Sequence, residues 1–212
     1  KIDPDVRPYV YDLEIKWKEI PLPSEFNYTL QLLKKALSER LTSLKNIGVL
    51  DSASVSLINR KKLLAVQQTI QAALHSSPQP SQELFKAASA QNAAIKLVHA
   101  IELLQTQGVN ALQSYMTRLA NEAGSKGGSK ASRDLLRDPN VLEAIAYIKS
   151  LKIEHPKVQE IITIVQEQFT RKKDSKIIVF THYRDTSLYV QKQLERVPFV
   201  KPVRFIGQAG KD

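Results

Sequence analysis

Helical periodicity dominates nearly half of this chain. From residue 26 to residue 44, apolar side chains recur at steps of three and four: Phe26, Leu30, Leu33, Leu37, Leu41 and Leu44. This spacing places one apolar stripe on a helix, which Ser24 can cap and Gly48 can close. Further helical stretches follow at 54–75, 81–107 and 109–123. So much helix leaves no room for a sheet, and residues 25–123 therefore predict a helical bundle.

Helices resume after a Gly- and Ser-rich break. The segment SKGGSKAS follows Gly124 and is expected to form a mobile loop. Beyond it, "DPN" at 138–140 and "HPK" at 155–157 each put a proline at the first helical position, directly after a capping residue. The second of these helices is expected to turn five apolar residues inward: Val158, Ile161, Ile162, Val165 and Phe169.

Strands are predicted at both ends of the chain. Residues 9–20 alternate apolar and polar side chains, which is typical of a half-buried strand. Near the other end, the apolar run 177–180, a helix from about 185 to 197 and a second apolar run at 203–206 predict the start of a parallel α/β domain. The expected fold class is therefore mainly α, a helical bundle flanked by an N-terminal strand and the first strands of an α/β domain.

The charge of the chain favours a polyanionic partner. The formal net charge is +10, and residues 1–53 carry 8 basic and 8 acidic side chains, so the whole excess lies beyond residue 53. Such an imbalance points most often to nucleic acid. The absence of cysteine excludes a disulfide framework and a thiolate metal site. Neither a membrane-spanning apolar run nor a signal-peptide core is visible, so a soluble, intracellular protein with no membrane partner is expected.

Two groups of cations are the candidate nucleic-acid contacts. The first basic cluster is Arg60, Lys61 and Lys62, with no acidic residue between positions 52 and 82. The second basic cluster is Lys126, Lys130, Arg133 and Arg137. Its two arginines, four residues apart, are expected to share a helix face, while the glycine-rich loop lets its two lysines adapt to a phosphate backbone.

The mode of binding and an alternative follow from the surroundings of these clusters. Tyr115 is the only aromatic residue at hand, so base stacking is not indicated, and contact with the backbone of double-stranded or branched DNA is the consistent mode. Charge runs are often only solvated surfaces. A helical protein-docking module with incidental basic charge therefore remains the alternative function.

No catalytic or metal-binding residue is predicted. "GSKGGSK" at 124–130 lacks the spacing of a phosphate-binding loop and follows a helix rather than a strand. "GQAGKD" at 207–212 has its first glycine two residues too close, and Asp212 replaces the hydroxyl residue that would hold Mg²⁺. The four histidines, at positions 75, 99, 155 and 182, show no metal-ligand spacing.

Three stretches resemble one known family. "KIIVFTHYRDT" at 176–186, the helix after it and "RFIGQAG" at 204–210 resemble the first part of the second motor domain in the Hef family. These are superfamily 2 helicases, archaeal fork-remodelling proteins related to the Fanconi anaemia M translocase. "DPDVRPYVYDLEIKWKEIPLP" at 3–23 also resembles the segment with which that family leaves its first motor domain.

The resemblance implies a domain organisation and a function. Residues 1–24 would be the strand leaving the first motor domain, 25–152 a thumb-like DNA-gripping insert, and 153–212 the start of a second, RecA-like motor domain. The function implied is that of an ATP-driven helicase on forks and junctions in DNA repair, cytoplasmic in an archaeon and nuclear in a eukaryote. The backbone contacts of the family fall on seven residues here: Thr181, His182, Tyr183, Arg184, Gly207, Gln208 and Ala209.

The motifs of the motor itself are missing from the sequence. It contains no phosphate-binding loop of the first motor domain, no acidic Mg²⁺ motif and no arginine motif. Phosphoryl transfer needs all three. ATP and Mg²⁺ are therefore expected as cofactors of a longer motor only, and these 212 residues alone are expected to be an inactive fragment of an ATP-dependent DNA helicase.

Overall fold

A computed structural model describes residues 14–181 and 184–207, apart from the side chain of Asp185. This part of the chain contains eight α-helices and a short 3-10 helix at Val55–Leu57. The α-helices are α1 (Ser24–Asn46), α2 (Arg60–Ser76), α3 (Gln82–Gln107), α4 (Val109–Gly124), α5 (Lys130–Leu135), α6 (Pro139–Ser150), α7 (Pro156–Arg171) and α8 (Arg184–Leu194). The predicted mainly α fold is confirmed. We call α1–α6 the helical bundle, and α7, α8 and the segments beside them the C-terminal unit.

Helix α3 is the central element of the bundle. It packs against α1, α2, α4 and α5. Small buried side chains let these neighbours approach closely, since four of its buried residues are alanines: Ala87, Ala93, Ala94 and Ala100. The helix ends at Gly108, whose backbone N–H donates to the Leu103 and Leu104 carbonyls at 3.1 and 3.2 Å. Gly108 has φ +86°, a conformation that favours glycine.

Helix α1 supplies one wall of the core. All six residues of its predicted apolar stripe are buried, and the helix packs against α3 and α6. The core that starts at Phe26 continues through α2–α5 and reaches Ile148 in α6. Burial of one leucine side chain contributes about 1.5–3 kcal/mol, so this shared core is the main source of stability in the bundle.

Helix α2 begins later than the sequence predicts. Instead of starting near residue 54, it starts at Arg60, after the short 3-10 helix. Asn59 is its N-cap, and the Asn59 side chain accepts a hydrogen bond from the Lys62 backbone N–H at 2.9 Å. An asparagine that bonds the backbone in this way favours a helix end over a helix interior, which explains the difference.

The predicted caps of α6 and α7 are confirmed. Asp138 caps α6, and its Oδ1 accepts from the backbone N–H groups of Asn140 and Val141. Arg40 of α1 pairs with the buried Asp138 carboxylate at 2.7 Å. His155 caps α7 through Nδ1, which accepts from the Lys157 N–H at 3.2 Å.

His155 also connects the bundle to the C-terminal unit. Its Nε2 donates to the Gln105 carbonyl at 3.0 Å, and its ring lies edge-on to Phe26. A Cβ on Gly108 would come within 3.0 Å of the His155 Cβ, so the glycine allows this close approach. Burial lowers the pKa of His155, because the charged ring would lose its hydration.

The strand predictions are wrong for the residues that the structure describes. No strand is present at 14–20, at 177–180 or at 203–206, and residues 9–13 of the first predicted strand lie outside the described part. A strand needs a neighbouring ladder to pair its backbone groups, and neither apolar run forms one. Phe180 and Phe205 are each 91% exposed. The C-terminal unit is instead held by a small cluster of Val165, Val190, Leu194 and Val197.

Helix α8 is shorter than the sequence predicts. Helix α8 ends at Leu194, three residues before the predicted end, and hydrogen-bonded turns follow it. Among the described helices, none is long and apolar enough to cross a membrane.

Candidate nucleic-acid interface

The first basic cluster lies in the first turn of α2. Arg60, Lys61 and Lys62 are all exposed, and Lys62 Nζ donates to the Leu57 carbonyl at 2.7 Å. Cations at a helix N-terminus oppose the positive end of the helix dipole and are mildly destabilising. Helix stability therefore does not explain why three cations stand here.

The second basic cluster surrounds a closed turn between α4 and α5. The Gly128 N–H donates to the Ser125 carbonyl at 2.9 Å, and Arg133 Nη1 donates to the Gly128 carbonyl at 2.7 Å. A Cβ on Gly128 would lie only 2.1 Å from the Glu122 carbonyl oxygen. The segment is therefore a hydrogen-bonded, closely packed turn rather than an open linker. It presents the exposed side chains of Lys126 and Lys130 to solvent.

The prediction that Arg133 and Arg137 share a helix face is wrong. Helix α5 ends at Leu135, and Arg137 lies in the turn between α5 and α6. The Arg137 N–H donates to the Asp134 carbonyl at 3.3 Å, which tightens the turn. Asp138, which precedes Pro139, is extended, as the residue before a proline usually is, and the helix cannot continue through it. Both arginines are nevertheless exposed.

Acidic residues near the second cluster are bound to other side chains of the bundle. Glu122 accepts from Lys96 Nζ at 3.1 Å and from Ser132 Oγ at 2.9 Å. The hydrogen bond from Lys96 holds the pKa of Glu122 below its usual range. Asp134 accepts from Ser89 at 3.3 Å. In the part of the chain that the structure describes, no cation of either basic cluster is in an ion pair within 4.0 Å.

The C-terminal unit brings together two segments that the family resemblance singled out. Arg184 Nη2, at the start of α8, donates to the Gly207 carbonyl at 2.9 Å. Thr181, Arg184 and Gly207 line one cavity of about 640 Å³. The other four implied contacts, His182, Tyr183, Gln208 and Ala209, lie outside the described residues.

Further cations around this cavity were not singled out from the sequence. Lys176, Lys201 and Arg204 line it together with Arg184. Their positions could have been found in the sequence, since Lys176 and Lys201 lie just before the two apolar runs and Arg204 lies within the second. An apolar run with a cation beside it predicts only the end of a strand. The structure is needed to show that the segments around 176 and 204 line the same cavity.

Tyr115 is not placed for base stacking. Its ring packs edge-on against His99 at 4.8 Å between ring centroids, and its hydroxyl donates to the Lys96 carbonyl at 3.3 Å. Burial raises the pKa of Tyr115 to about 12. The ring therefore serves the packing of α4 on α3.

The helical bundle therefore presents exposed cations at the start of α2, on α5 and in the turns on either side of α5. The family model described as "Putative ATP-dependent RNA helicase, helical bundle" matches residues 25–155. The chain belongs to this helicase helical-bundle family.

Solved and curated relatives agree with the family. The structure of the Hef helicase domain of Pyrococcus furiosus matches with a TM-score of 0.79 and 36% identity, covering 99% of this chain and 43% of that chain. A relative from Methanocaldococcus jannaschii that carries the same RNA-helicase description is 32% identical over 99% of this chain. An ATP-dependent DNA helicase of Neurospora crassa is 28% identical over 53% of it. The resemblance to the Hef family is confirmed.

This chain corresponds to a part of those proteins. It spans 25% of the Methanocaldococcus jannaschii relative and 10% of the Neurospora crassa helicase.

Proposed function

We propose that this chain is the DNA-gripping region of an ATP-dependent superfamily 2 helicase that acts on forks and junctions in DNA repair. In this proposal residues 25–152 form the grip, 1–24 connect it to a first motor domain and 153–212 begin a second one. ATP and Mg²⁺ are handled by the complete motor. The residues of this chain hold the phosphate backbone.

One observation carries the proposal: the cations of both basic clusters are exposed and take part in none of the ion pairs of the described residues, whereas the acidic groups beside the second basic cluster bond other side chains of the bundle. Glu122, Asp134 and Asp138 each bond a side chain of the bundle. An outward positive field attracts a polyanion and releases its counterions.

The kind of contact supports DNA backbone recognition over base recognition. Lysine and arginine contacts to phosphates position a protein on nucleic acid without reading its sequence. Tyr115, the aromatic residue near the clusters, is engaged inside the bundle. The names of the relatives include both RNA and DNA helicases, so the test below compares the two nucleic acids.

The direct test is the salt dependence of binding. Neutralising about four phosphates gives a slope of roughly −3.6 when log affinity is plotted against log salt. Labelled forked DNA, linear duplex and an RNA duplex of equal length are titrated between about 50 and 200 mM salt. The proposal expects a steep slope and tightest binding to the fork. A flat salt response would contradict a backbone grip and favour a protein-docking bundle.

A charge-neutralising pair localises the grip. Lys126→Gln with Lys130→Gln removes two exposed cations and leaves the Arg133 hydrogen bond to the turn intact. We expect binding to weaken similarly for all DNA sequences, with a salt slope smaller by about two. Lys149→Gln with Lys152→Gln is the matched control, since it removes the same charge from exposed positions outside both basic clusters. Equal losses in the two double variants would mean that only net charge matters.

A further inference from the structure

A cavity of about 690 Å³ lies between the helical bundle and the C-terminal unit, and we call it the inter-unit cavity. The bundle contributes the C-terminal end of α3 and the first turns of α4, and the C-terminal unit contributes α7, α8 and residues 180–181. Its volume is in the range of pockets that hold ligands. Neither basic cluster contributes a residue to it, so the inter-unit cavity is separate from the cations of the proposed grip.

Hydrogen bonds fix the walls of the inter-unit cavity. Thr186 Oγ1 of α8 donates to Gln107 Oε1 at the end of α3, at 2.6 Å. The Tyr189 hydroxyl donates to Glu154, and His155, which caps α7, lines the cavity as well. The cavity is therefore formed by bonded elements of both regions.

The lining of the inter-unit cavity is mostly apolar, with a few amide and hydroxyl groups. Phe180 and Tyr189 contribute aromatic rings, and Gln107 and Asn110 contribute side-chain amides. The aliphatic part of the wall includes Val109, Val158, Ile161 and Val190. Gln107 Nε2 is buried and has no hydrogen-bond partner among the described residues. Such a donor costs stability unless a bound group accepts from it.

Two residues connect the inter-unit cavity to the second cavity of the C-terminal unit. Phe180 and Thr181 line both. Among the described residues, Lys157 is the one lysine or arginine that lines the inter-unit cavity, whereas the second cavity has four: Lys176, Arg184, Lys201 and Arg204. We call the second one the cation-lined cavity. An anionic group fits the cation-lined cavity, and an uncharged group with a large apolar surface fits the inter-unit cavity.

We propose that the inter-unit cavity binds one unpaired nucleobase, while the phosphate beside that base lies across Phe180 and Thr181 in the cation-lined cavity. This inference rests on the function proposed above. A nucleotide carries both kinds of group, a charged phosphate and an uncharged planar base. A fork exposes unpaired bases where its strands separate, whereas a linear duplex keeps its bases paired. The site therefore distinguishes a fork from a duplex.

Aromatic rings and amides are the side chains that bind single-stranded nucleic acid. Every base has a face that stacks on an aromatic ring, so stacking is largely independent of sequence and agrees with a backbone grip. Amide groups donate to and accept from the edges of bases that are not paired. A ring nitrogen or carbonyl oxygen of the base would give Gln107 Nε2 the acceptor that it lacks.

The first part of the test removes the base and keeps the phosphates. Forked DNAs of equal length carry one abasic site, placed in turn at each of the first unpaired positions, and binding to the parent chain is measured by fluorescence anisotropy at one salt concentration. We expect the affinity to fall roughly fivefold or more at one position, because the stacked base is lost while the charge is unchanged. An abasic site inside the paired arm is the DNA control and should have little effect.

The second part removes the ring or the amide from the protein. Tyr189→Leu should bind the intact fork about as weakly as the parent chain binds the abasic fork, and it should no longer distinguish the two. Tyr189→Phe keeps the ring without the bond to Glu154 and should therefore keep most of the discrimination.

A matched pair of asparagines in α4 tests the amide without a change in the core. Asn110→Ala and Asn121→Ala each remove one exposed amide from the same helix, but only Asn110 lines the inter-unit cavity. Asn110→Ala should reduce the loss caused by the abasic site, and Asn121→Ala should leave that loss as it is in the parent chain.

The outcomes separate this inference from the proposed function. If the parent chain does not bind DNA at low salt, the proposed function itself fails. If it binds, but no abasic position weakens binding, or Tyr189→Leu still distinguishes the abasic fork, or the two asparagine variants behave alike, the base site is overturned while the backbone grip stands. A loss at one unpaired position that disappears in Tyr189→Leu and shrinks in Asn110→Ala supports the site.

Discussion

The helical bundle and the C-terminal unit bury their apolar side chains very differently. In the bundle, one core extends from α1 to α6. In the C-terminal unit, four residues form the buried cluster, while Phe180 and Phe205 point into solvent. A helix satisfies its backbone hydrogen bonds internally and needs cover on one face only, whereas a strand needs a neighbour on its edges and cover on its faces. The helices of the bundle therefore cover one another in a complete core, whereas the apolar runs at 177–180 and 203–206 have no neighbouring strand in the described part of the chain and stay largely exposed.

Polar contacts connect these two regions. His155 bonds the end of α3, and Thr186 Oγ1 of α8 donates to Gln107 Oε1 at 2.6 Å. Nearby, the Tyr189 hydroxyl donates to Glu154, and burial together with this carboxylate raises the pKa of Tyr189 to about 12. A junction built from a few hydrogen bonds holds orientation but contributes much less stability than the shared apolar core of the bundle.

The largest effect that would test this contrast is a cavity in the bundle core. Leu37 is fully buried against α3 and its neighbours, so Leu37→Ala should lower the free energy of unfolding by about 2–5 kcal/mol. Phe205→Ala, at an exposed position, should change it by less than about 0.5 kcal/mol. Urea denaturation followed by circular dichroism measures both. A comparable loss in the two variants would mean that Phe205 is covered in solution.

A somewhat smaller effect is expected from the Arg40–Asp138 pair. Asp138→Ala removes the cap of α6 and the buried one of the two carboxylates that pair with Arg40, while Glu39 keeps its contact at 3.2 Å, so we expect a loss of about 1–3 kcal/mol. Asp174→Ala, an exposed aspartate of the C-terminal unit, is the control and should be nearly neutral. Thermal and urea unfolding of both variants give the comparison. If Asp138→Ala were also neutral, the pair would not organise the bundle.

The turn that carries the second basic cluster offers a matched pair of glycines. Gly128→Ala places a methyl group against the Glu122 carbonyl, so it should destabilise the bundle by about 1–3 kcal/mol. Gly124→Ala meets nothing within 4 Å and should be neutral or slightly stabilising at the end of α4. The unfolding midpoint distinguishes them. A neutral Gly128→Ala would show that the turn opens readily, as the glycine-rich sequence predicts.

These contrasts also explain what the sequence could and could not predict. The stripe of α1 and the caps at Asp138 and His155 were predictable, because they depend on residues two to four positions apart. The strand at 177–180 was predicted from an apolar run alone, and a strand exists only if a distant segment pairs with it. The bond between Arg184 and Gly207, and the pairing of Arg40 with Asp138, likewise join residues far apart in sequence.

The smallest expected effect is a pH dependence of the free energy of unfolding that arises from His155, at the junction between the bundle and the C-terminal unit. Burial lowers the pKa of His155 in the folded chain, whereas in the unfolded chain it stays near the ordinary value of about 6.5. As the pH falls below that value, His155 binds a proton in the unfolded state while it stays neutral in the folded state. Stability should therefore fall with pH in this window and level off below the folded pKa. The measurement is the free energy of unfolding from urea titrations at a series of pH values.

His155→Asn removes the titration while asparagine can still cap α7, so the stability curve should become flatter below about pH 6.5. His99→Asn serves as the comparison, because burial also lowers the pKa of His99, but inside the bundle. NMR spectra of the backbone amides, recorded as the pH is lowered, identify the region that responds to acid. In the parent chain the amide signals of α7 and of the end of α3 should shift. His155→Asn should abolish that shift, whereas His99→Asn should leave it unchanged. Two results would contradict this role of His155: a parent chain that loses no stability on acidification, or a pH–stability curve that only His99→Asn flattens. The contact between the bundle and the C-terminal unit would then depend on the hydrogen bond between Thr186 and Gln107.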